Sequence, residues 1–115
     1  VSTPQAVALL DARRSVKMFQ KMDVPIFGIV ENMSQFICPQ CQHVSDIFGA
    51  GGAEAEATAC QVPFLGRVPI EPAVRAAGDD GRPVVLTHPD SHSARAFTSI
   101  AERVAQRASI HALRP

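Results

Sequence analysis

The sequence has 115 residues, of which 46% are apolar and 19% are charged, and its 11 basic residues balance its 11 acidic ones. This composition predicts a single soluble domain, or part of one, with a modest core. The absence of a basic excess argues against nucleic acid or a membrane surface as a partner, and no apolar run reaches the roughly 20 residues of a membrane span.

The start of the chain and its cysteine count bear on processing and on the cellular compartment. The chain begins at Val1 without an initiator Met or a secretory signal, which predicts a fragment or a processed chain. Three cysteines are an odd number and do not suit a secreted disulfide framework. We therefore expect a reducing, cytoplasmic compartment.

The first predicted elements are a helix and a buried strand. Thr3 can cap a helix that begins at Pro4 and runs to Met22, with apolar residues at helical spacing. The apolar run over 26–30 is too short for a core helix. It suits a strand buried on both faces, as in a parallel sheet.

The remaining predicted elements alternate in type. In chain order they are a loop over 35–48, a helix over 53–60 entered through the glycine-rich 49–52, a strand over 62–66, a helix over 71–77, a loop over 78–83, an extended segment over 84–86 and a helix over 91–108. This order predicts an α/β domain with parallel strands. Because only two good strands and a stub at Val1 are visible, we expect a partial doubly wound parallel sheet flanked by helices.

The sharpest chemical signal is the pair Cys38 and Cys41, separated by Pro39 and Gln40. Two intervening residues let both sulfurs face one point, and thiolates suit zinc and iron–sulfur clusters. Thioredoxin-like redox pairs share this spacing but sit at a helix N-terminus, and residues 42–45 contain no clear helix start. We favour a metal site and keep two alternatives open, a redox pair and a pair of unligated thiols.

The ligand count predicts a dimer. A closed site needs four protein donors, and the motif supplies two. His43 follows Cys41 too closely for a good third ligand, and Cys60, among alanines, is expected to be a small core residue. Two copies of the chain would place four thiolates around one shared cluster. Such a cluster would be accessible and labile, which suits a carrier.

Two loops suit the recognition of a nucleotide base. Asn32 follows a buried strand, where open α/β sheets bind ligands, and its amide can donate and accept at an adenine edge. Asn32 can equally be a turn residue that satisfies its own backbone. Pro69 follows the next strand and offers a flat apolar surface. The sequence contains neither G-x-x-x-x-G-K-[ST] nor G-x-G-x-x-G, and the segment 49–52 lacks the lysine of a phosphate loop.

A series of short motifs in fixed order carries a resemblance to a known family. The motifs are TPQ at 3–5, GIVENMS at 28–34, CPQC at 38–41, IFG at 47–49 followed by GG at 51–52, VPFLG at 62–66, PI at 69–70 and DGRP at 80–83. The series resembles the C-terminal half of Mrp/ApbC-type iron–sulfur carrier ATPases, which belong to the ParA/MinD superfamily of deviant P-loop NTPases. The resemblance covers about residues 1–86, and 87–115 carry only an amphipathic helix.

The resemblance implies a role for each matching residue. Cys38 and Cys41 match the pair that binds a bridging [4Fe–4S] cluster across a homodimer. Asn32 matches the asparagine that contacts adenine, and Pro69, with Glu71 as a weaker candidate, matches the loop that lines the adenine pocket. The resemblance also implies a P-loop NTPase fold, apo iron–sulfur proteins as cluster acceptors, and ATP with magnesium in a full-length parent.

The departures from the family pattern limit the expected activity. The phosphate-binding half of the domain is missing from residues 1–115, so this chain alone is not expected to hydrolyse ATP. Two other functions compete with the cluster carrier. One is a zinc-binding structural or interaction module, since zinc can substitute for a cluster, and the other is a dithiol redox protein.

Overall fold

The computed structural model describes residues 1–114, so Pro115 of the predicted C-terminal segment lies outside the described residues. The elements in chain order are α1 (Ala6–Lys21), β1 (Ile29–Ile37), β2 (Val44–Ser45), α2 (Gly52–Ala59), β3 (Phe64–Ile70), α3 (Pro72–Asp79), α4 (Val84–Thr87) and α5 (His92–Ala112). The prediction of an α/β domain is confirmed. None of these helices is long and apolar enough to cross a membrane.

The sheet has the strand order β2-β1-β3, with β1 parallel to β3 and antiparallel to β2. The predicted parallel pair is therefore present. Ser2 forms a parallel bridge to Glu31. The Ser2 N–H donates to the Val30 carbonyl, and the Ser2 carbonyl accepts the Asn32 N–H. The edge of β1 that faces away from β3 is thus paired at both ends, by Ser2 and by β2.

Both long strands run further than predicted. They were expected to end at Val30 and Gly66, but β1 reaches Ile37 and β3 reaches Ile70. Residues 35–37 and 44–45, predicted as loop, are strand as well. The apolar run of β1 ends where Glu31 begins a polar stretch, and this stretch stays in the sheet because its buried polar groups find partners inside the fold.

The start of α1 differs from the prediction. Gln5, not Thr3, precedes the first helical residue, and Thr3 Oγ1 instead donates to the Gln5 side-chain oxygen at 3.1 Å. The pairing of Ser2 with β1 holds the first residues extended. The chain is therefore free to turn into a helix only after Pro4.

The segment Val84–Leu86 was predicted to be extended and is helical in the structure. The carbonyl of Pro83 accepts the main-chain N–H groups of Leu86 and Thr87. Val84 is buried. Two valines favour a strand locally, but here they lie between α3 and α5 with no strand partner to pair with, so the segment closes its own hydrogen bonds.

The core lies between α1, α2 and the sheet. Its buried members are Val16, Ile29, Ala53 and Ala57. On the β3 side, α5 comes so close that a Cβ on Gly66 (φ +149°) would lie 2.9 Å from Ile100 Cγ1. Arg103 Nη1 of α5 donates to the Leu65 carbonyl at 2.9 Å, so the helix also satisfies a polar group of the strand.

A fully buried carboxylate joins β1 to α2. Glu31 is 0% exposed, its Oε2 accepts the Ala53 N–H at 2.9 Å, and its Oε1 accepts the Ser34 hydroxyl at 2.7 Å. Arg67 Nε of β3 lies 3.5 Å from Oε1. Because Ala53 is in the first turn of α2, this carboxylate sits where the unpaired N–H groups and the dipole of a helix favour an anion.

A second buried carboxylate joins α1 to α2. Arg13 donates two hydrogen bonds of 2.7 Å to Glu56, which is 5% exposed. The Cys60 thiol donates to Glu56 Oε1 at 3.2 Å. The hydrogen bonds from Arg13 are the main cause that lowers the Glu56 pKa from 4.5 to about 2, against the opposing effect of burial.

We predict that Glu31→Ala costs about 3–5 kcal/mol of unfolding free energy, because it leaves a buried helix N–H and a hydroxyl without their acceptor. Urea unfolding followed by circular dichroism measures the loss. Glu102→Ala, at an exposed position of α5, is the control and should cost less than about 0.5 kcal/mol. A loss at Glu31 as small as that of the control would contradict the anchoring role.

We predict that the Arg13–Glu56 pair makes stability pH-dependent in the acid range. The folded pKa of Glu56 is depressed, so its contribution is complete above about 4.5 and is lost as the pH falls towards about 2. The gap in unfolding free energy between the native chain and Glu56→Gln should therefore narrow over that range. Urea unfolding at pH 6, 4 and 2.5 tests this; a constant gap would be the contrary result.

Candidate metal centre

The cysteine pair lies at the tip of the β1–β2 hairpin. Phe36 pairs with Ser45 and Ile37 with Val44, and the Cys38 N–H donates to the His43 carbonyl at 2.9 Å, which closes the loop. The tip thus directly follows β1, the strand that begins in the core at Ile29. Cys38 is partly buried and Cys41 is exposed.

The loop backbone stabilises the thiolate form of Cys38. Hydrogen bonds from the main-chain N–H of Cys41 and then of Gln40 to the Cys38 sulfur, with a further one from the Cys41 thiol, lower the Cys38 pKa below its usual value. Donors that favour the charged form act in this way on any acid. The thiolate is the form that binds metals and attacks disulfides, so this shift favours both of the chemistries expected for the pair.

The surroundings of the pair differ in one respect from those of a thioredoxin-like dithiol. Residues 39–41 form a turn between two strands and do not begin a helix. The dipole that lowers a thiol pKa in dithiol oxidoreductases is therefore not available here. A lowered Cys38 pKa is nevertheless what a dithiol redox pair would also show, so both the metal site and the redox pair remain open.

The described residues supply only half of a closed metal site. Among residues 1–114, no three histidine, cysteine or acidic side chains are grouped as metal ligands would be. His43, which the sequence did not favour as a third ligand, uses its carbonyl to close the loop, and its side chain is exposed. Two thiolates at an exposed tip therefore leave room for donors from another molecule.

Cys60 is placed apart from the pair, as predicted for a core residue. It packs against the core cluster and contacts Glu56. Burial, and then the neighbouring Glu56 carboxylate, raise the pKa of this thiol. The chain therefore contains one thiol held in the protonated form and another, Cys38, whose thiolate is favoured.

The structure brings Asn32 and Pro69 into neighbouring strands. Asn32 pairs with Val68, the residue before Pro69, across the parallel β1–β3 ladder. The Asn32 Oδ1 accepts the N–H of Met33 at 2.9 Å, and Met33 has a left-handed φ of 53°. This contact is the one expected of a residue whose side chain satisfies its neighbouring backbone, the alternative given above for Asn32.

Glu71 lies directly after β3, and its carboxylate contacts α5. Its Oε2 accepts the N–H of Ser93, in the first turn of α5, at 3.0 Å. Glu71 is also the residue directly before α3. The pairing of Phe36 with Ile70 brings this loop beside the cysteine loop, and Glu71 and Pro39 line one cavity between them.

Two residues near the cysteines were missed by sequence reasoning. Gln42 donates its N–H to the Cys38 carbonyl at 2.9 Å, and His92 Nε2 lies 3.5 Å from Gln42 Oε1. They are 50 residues apart in the chain, so no local pattern links them. The only signal at Gln42 was its place directly after the second cysteine.

Comparisons with known proteins identify the family. Residues 1–105 match the ParA-type family described as the NUBPL iron-transfer P-loop NTPases. The chain is 51% identical over 114 residues to an iron-sulfur cluster carrier protein of Synechocystis, covering 98% of this chain and 32% of that protein. It is 47% identical to the iron-sulfur cluster transfer protein NUBPL of mouse, covering 93% of this chain and 34% of that protein.

Solved structures agree in fold. The cell division ATPase MinD of Pyrococcus furiosus superposes with a TM-score of 0.73 at 28% identity, covering 92% of this chain and 40% of that one. MinD of Pyrococcus horikoshii, complexed with Mg-ADP, gives 0.74 at 26% identity, covering 96% and 41%. A nucleotide-binding protein of Archaeoglobus fulgidus in complex with ADP gives 0.61 at 32% identity, covering 71% and 34%.

The chain spans about a third of the length of the curated relatives that it matches. The family match covers residues 1–105, which include the parallel strand pair and the cysteine hairpin. The chain belongs to the NUBPL iron-transfer P-loop NTPase family.

Proposed function

We propose that this chain binds an iron–sulfur cluster as cargo and passes it to apo-proteins. Cys38 and Cys41 of two copies would together hold one bridging [4Fe–4S] cluster. The observation that carries the proposal is the half-site itself, a backbone-stabilised thiolate and a second, exposed cysteine at a hairpin tip. Relatives named as iron-sulfur cluster carrier and transfer proteins support it.

The ligand count supports a second copy of the chain as the partner. A cluster of this kind takes four thiolates, and residues 1–114 group no further ligands with the pair. A twofold axis through the cluster would supply the missing two from an identical surface. The exposure of Cys41 leaves at least this ligand accessible to a second chain.

The exposure of the pair supports transfer over permanent storage. An acceptor thiol can approach Cys41 from solvent, lose its proton and replace the cysteine at iron, while the released thiolate takes up a proton. Each exchange conserves charge and leaves the oxidation states of iron unchanged. Four such exchanges move the cluster intact.

We extend the proposal to an adenine nucleotide in the protein's working cycle. Asn32, Pro69 and Glu71 would form the base side of its site, with Asn32 Nδ2 as a donor to the adenine edge. ADP is present in the related MinD and nucleotide-binding protein structures. The sequence contains no phosphate loop, so ATP with magnesium would need phosphate contacts from outside residues 1–115.

The chemistry of the site also supports a reducing, cytoplasmic setting, in which both cysteines stay free of disulfides and available to a metal. Neither a nucleic acid nor a membrane is proposed as a partner, because the charge is balanced over the chain. The proposed partners are a second copy and apo iron–sulfur proteins.

We predict that Cys38→Ser or Cys41→Ser abolishes cluster binding, whereas Cys60→Ser leaves it intact because Cys60 lies in the core. Anaerobic reconstitution with iron and sulfide, followed by iron and acid-labile sulfide analysis and visible absorption, measures the loading. A colourless native chain that binds zinc but no iron would instead support the zinc module. Loss of the cluster in Cys60→Ser would refute the two-plus-two ligand set.

We predict that loading doubles the mass of the particle, with about four irons per two chains. Sedimentation velocity under anaerobic conditions, before and after reconstitution, measures the change. The Cys41→Ser chain treated in the same way is the control and should keep its original mass. A fully loaded native chain that remains monomeric would exclude a shared cluster.

A further inference from the structure

The first turn of α5 touches both loops of the proposed site. Ser93 is 0% exposed, and its N–H donates to Glu71 Oε2 at 3.0 Å. The Ser93 hydroxyl lies 3.5 Å from the Pro69 carbonyl. The end of β3 and the residue after it, Pro69 and Glu71, are therefore tied to the start of α5.

The neighbouring residue, His92, faces the cysteine loop. Its Nε2 lies 3.5 Å from Gln42 Oε1, and in the tautomer protonated at Nε2 it is the donor. The Gln42 side chain also donates, because its Nε2 lies 3.4 Å from the Cys38 carbonyl oxygen. One amide thus bridges the cysteine loop to α5.

The Gln42 backbone reinforces this bridge. Its φ of 60° is left-handed, an unusual conformation for a residue with a side chain. In that conformation its N–H donates to the same Cys38 carbonyl at 2.9 Å. The carbonyl of Cys38, one of the two proposed ligand residues, is therefore held by both the main-chain N–H and the side-chain NH₂ of Gln42.

The two loops are connected through α5 as well as through the pairing of Phe36 with Ile70. A cavity of about 340 Å³ is lined by residues of both loops and of the start of α5, among them Pro39, Gln42, Glu71 and His92. A second connection, from Cys38 through Gln42 and His92 to the Ser93–Glu71 contact, joins the residues that line this cavity.

We propose that Gln42 is a positioning residue for the cysteine pair, and that His92 and Ser93 make the first turn of α5 a common anchor for the cysteine loop and the loop after β3. Metal bound by Cys38 and Cys41 would then change the environment of the Ser93 N–H. The inference rests on the metal site of the proposed function and adds to it a second group of residues that sense occupancy.

The first test is zinc affinity, measured by competition with a chromophoric chelator at one fixed chain concentration. Gln42→Gly keeps the main-chain N–H and suits the left-handed φ, so it removes only the side-chain bridge. It should weaken zinc binding about 10-fold or more, the usual effect of losing a group that orients a metal ligand. Thermal unfolding of the metal-free chains checks that the fold is retained.

Gln40→Gly is the matched control for this test. It adds glycine to the same loop and keeps the N–H that contacts the Cys38 sulfur, and its side chain is exposed. It should change zinc affinity less than about threefold, well short of the loss expected when a group that orients a ligand is removed. Equal losses in the two variants would overturn the role of the Gln42 side chain.

The second test follows the Ser93 amide signal in ¹⁵N NMR spectra during zinc titration. The native chain should show a zinc-dependent shift of this signal, Cys38→Ser none, and His92→Ala should bind zinc but lose the shift. A shift that persists in His92→Ala, or is missing from a zinc-saturated native chain, overturns the common anchor. A native chain that binds neither zinc nor, on anaerobic reconstitution, an iron–sulfur cluster would refute the cysteine metal site, and with it the proposed function.

Discussion

The burial of the Glu31 carboxylate is the constraint on which the arrangement of this domain depends. A carboxylate with no exposure is tolerated only where it finds donors. Glu31 finds the N-terminal N–H of α2, a hydroxyl of its own strand and a guanidinium on β3. These three partners fix the position of α2 and the mutual position of β1 and β3 at one point.

The position of Glu31 in β1 has consequences along the strand. Shifting a strand by one residue turns every side chain to the other face, and here a shift would remove Glu31 from its donors. The register is therefore held at Glu31, which lies beside Ser2 on one edge and opposite Arg67 on the other. The β1–β3 pairing is irregular between Asn32 and Phe36 and is taken up again where Phe36 pairs with Ile70. This second pairing gives the cysteine hairpin a defined direction relative to the loop after β3.

Sequence reasoning predicted those parts of the fold that depend on neighbours in the chain. The helices near 6–21 and 92–112, the parallel pairing of two short apolar strands and the separation of Cys60 from the cysteine pair all follow from local pattern and spacing. The extension of β1 does not, because Glu31 and Ser34 read as polar and would be placed in a loop. Their burial is made possible by Ala53, 22 residues beyond Glu31, and by Arg67 on the next strand.

The same limit applies to the candidate site. The pattern Cys-Pro-Gln-Cys indicated metal chemistry at once, since both ligands lie within four residues. The contacts of Gln42 with His92 and of Glu71 with Ser93 bring together residues that lie 50 and 22 positions apart. Only the packing of α5 against the end of β3 creates them, and a pattern read along the chain carries no trace of that packing.

The domain holds its buried carboxylates and its cysteine pair in two different ways. Glu31 and Glu56 are buried and held by a helix N-terminus or by arginines, so releasing them would break the core. Cys38 lies at the hairpin tip, where main-chain N–H groups of the turn lower its pKa. These donors belong to the turn, so the proposed metal could leave without removing them. The buried carboxylates meanwhile keep the strand beneath the turn in place, whether or not the proposed site is occupied.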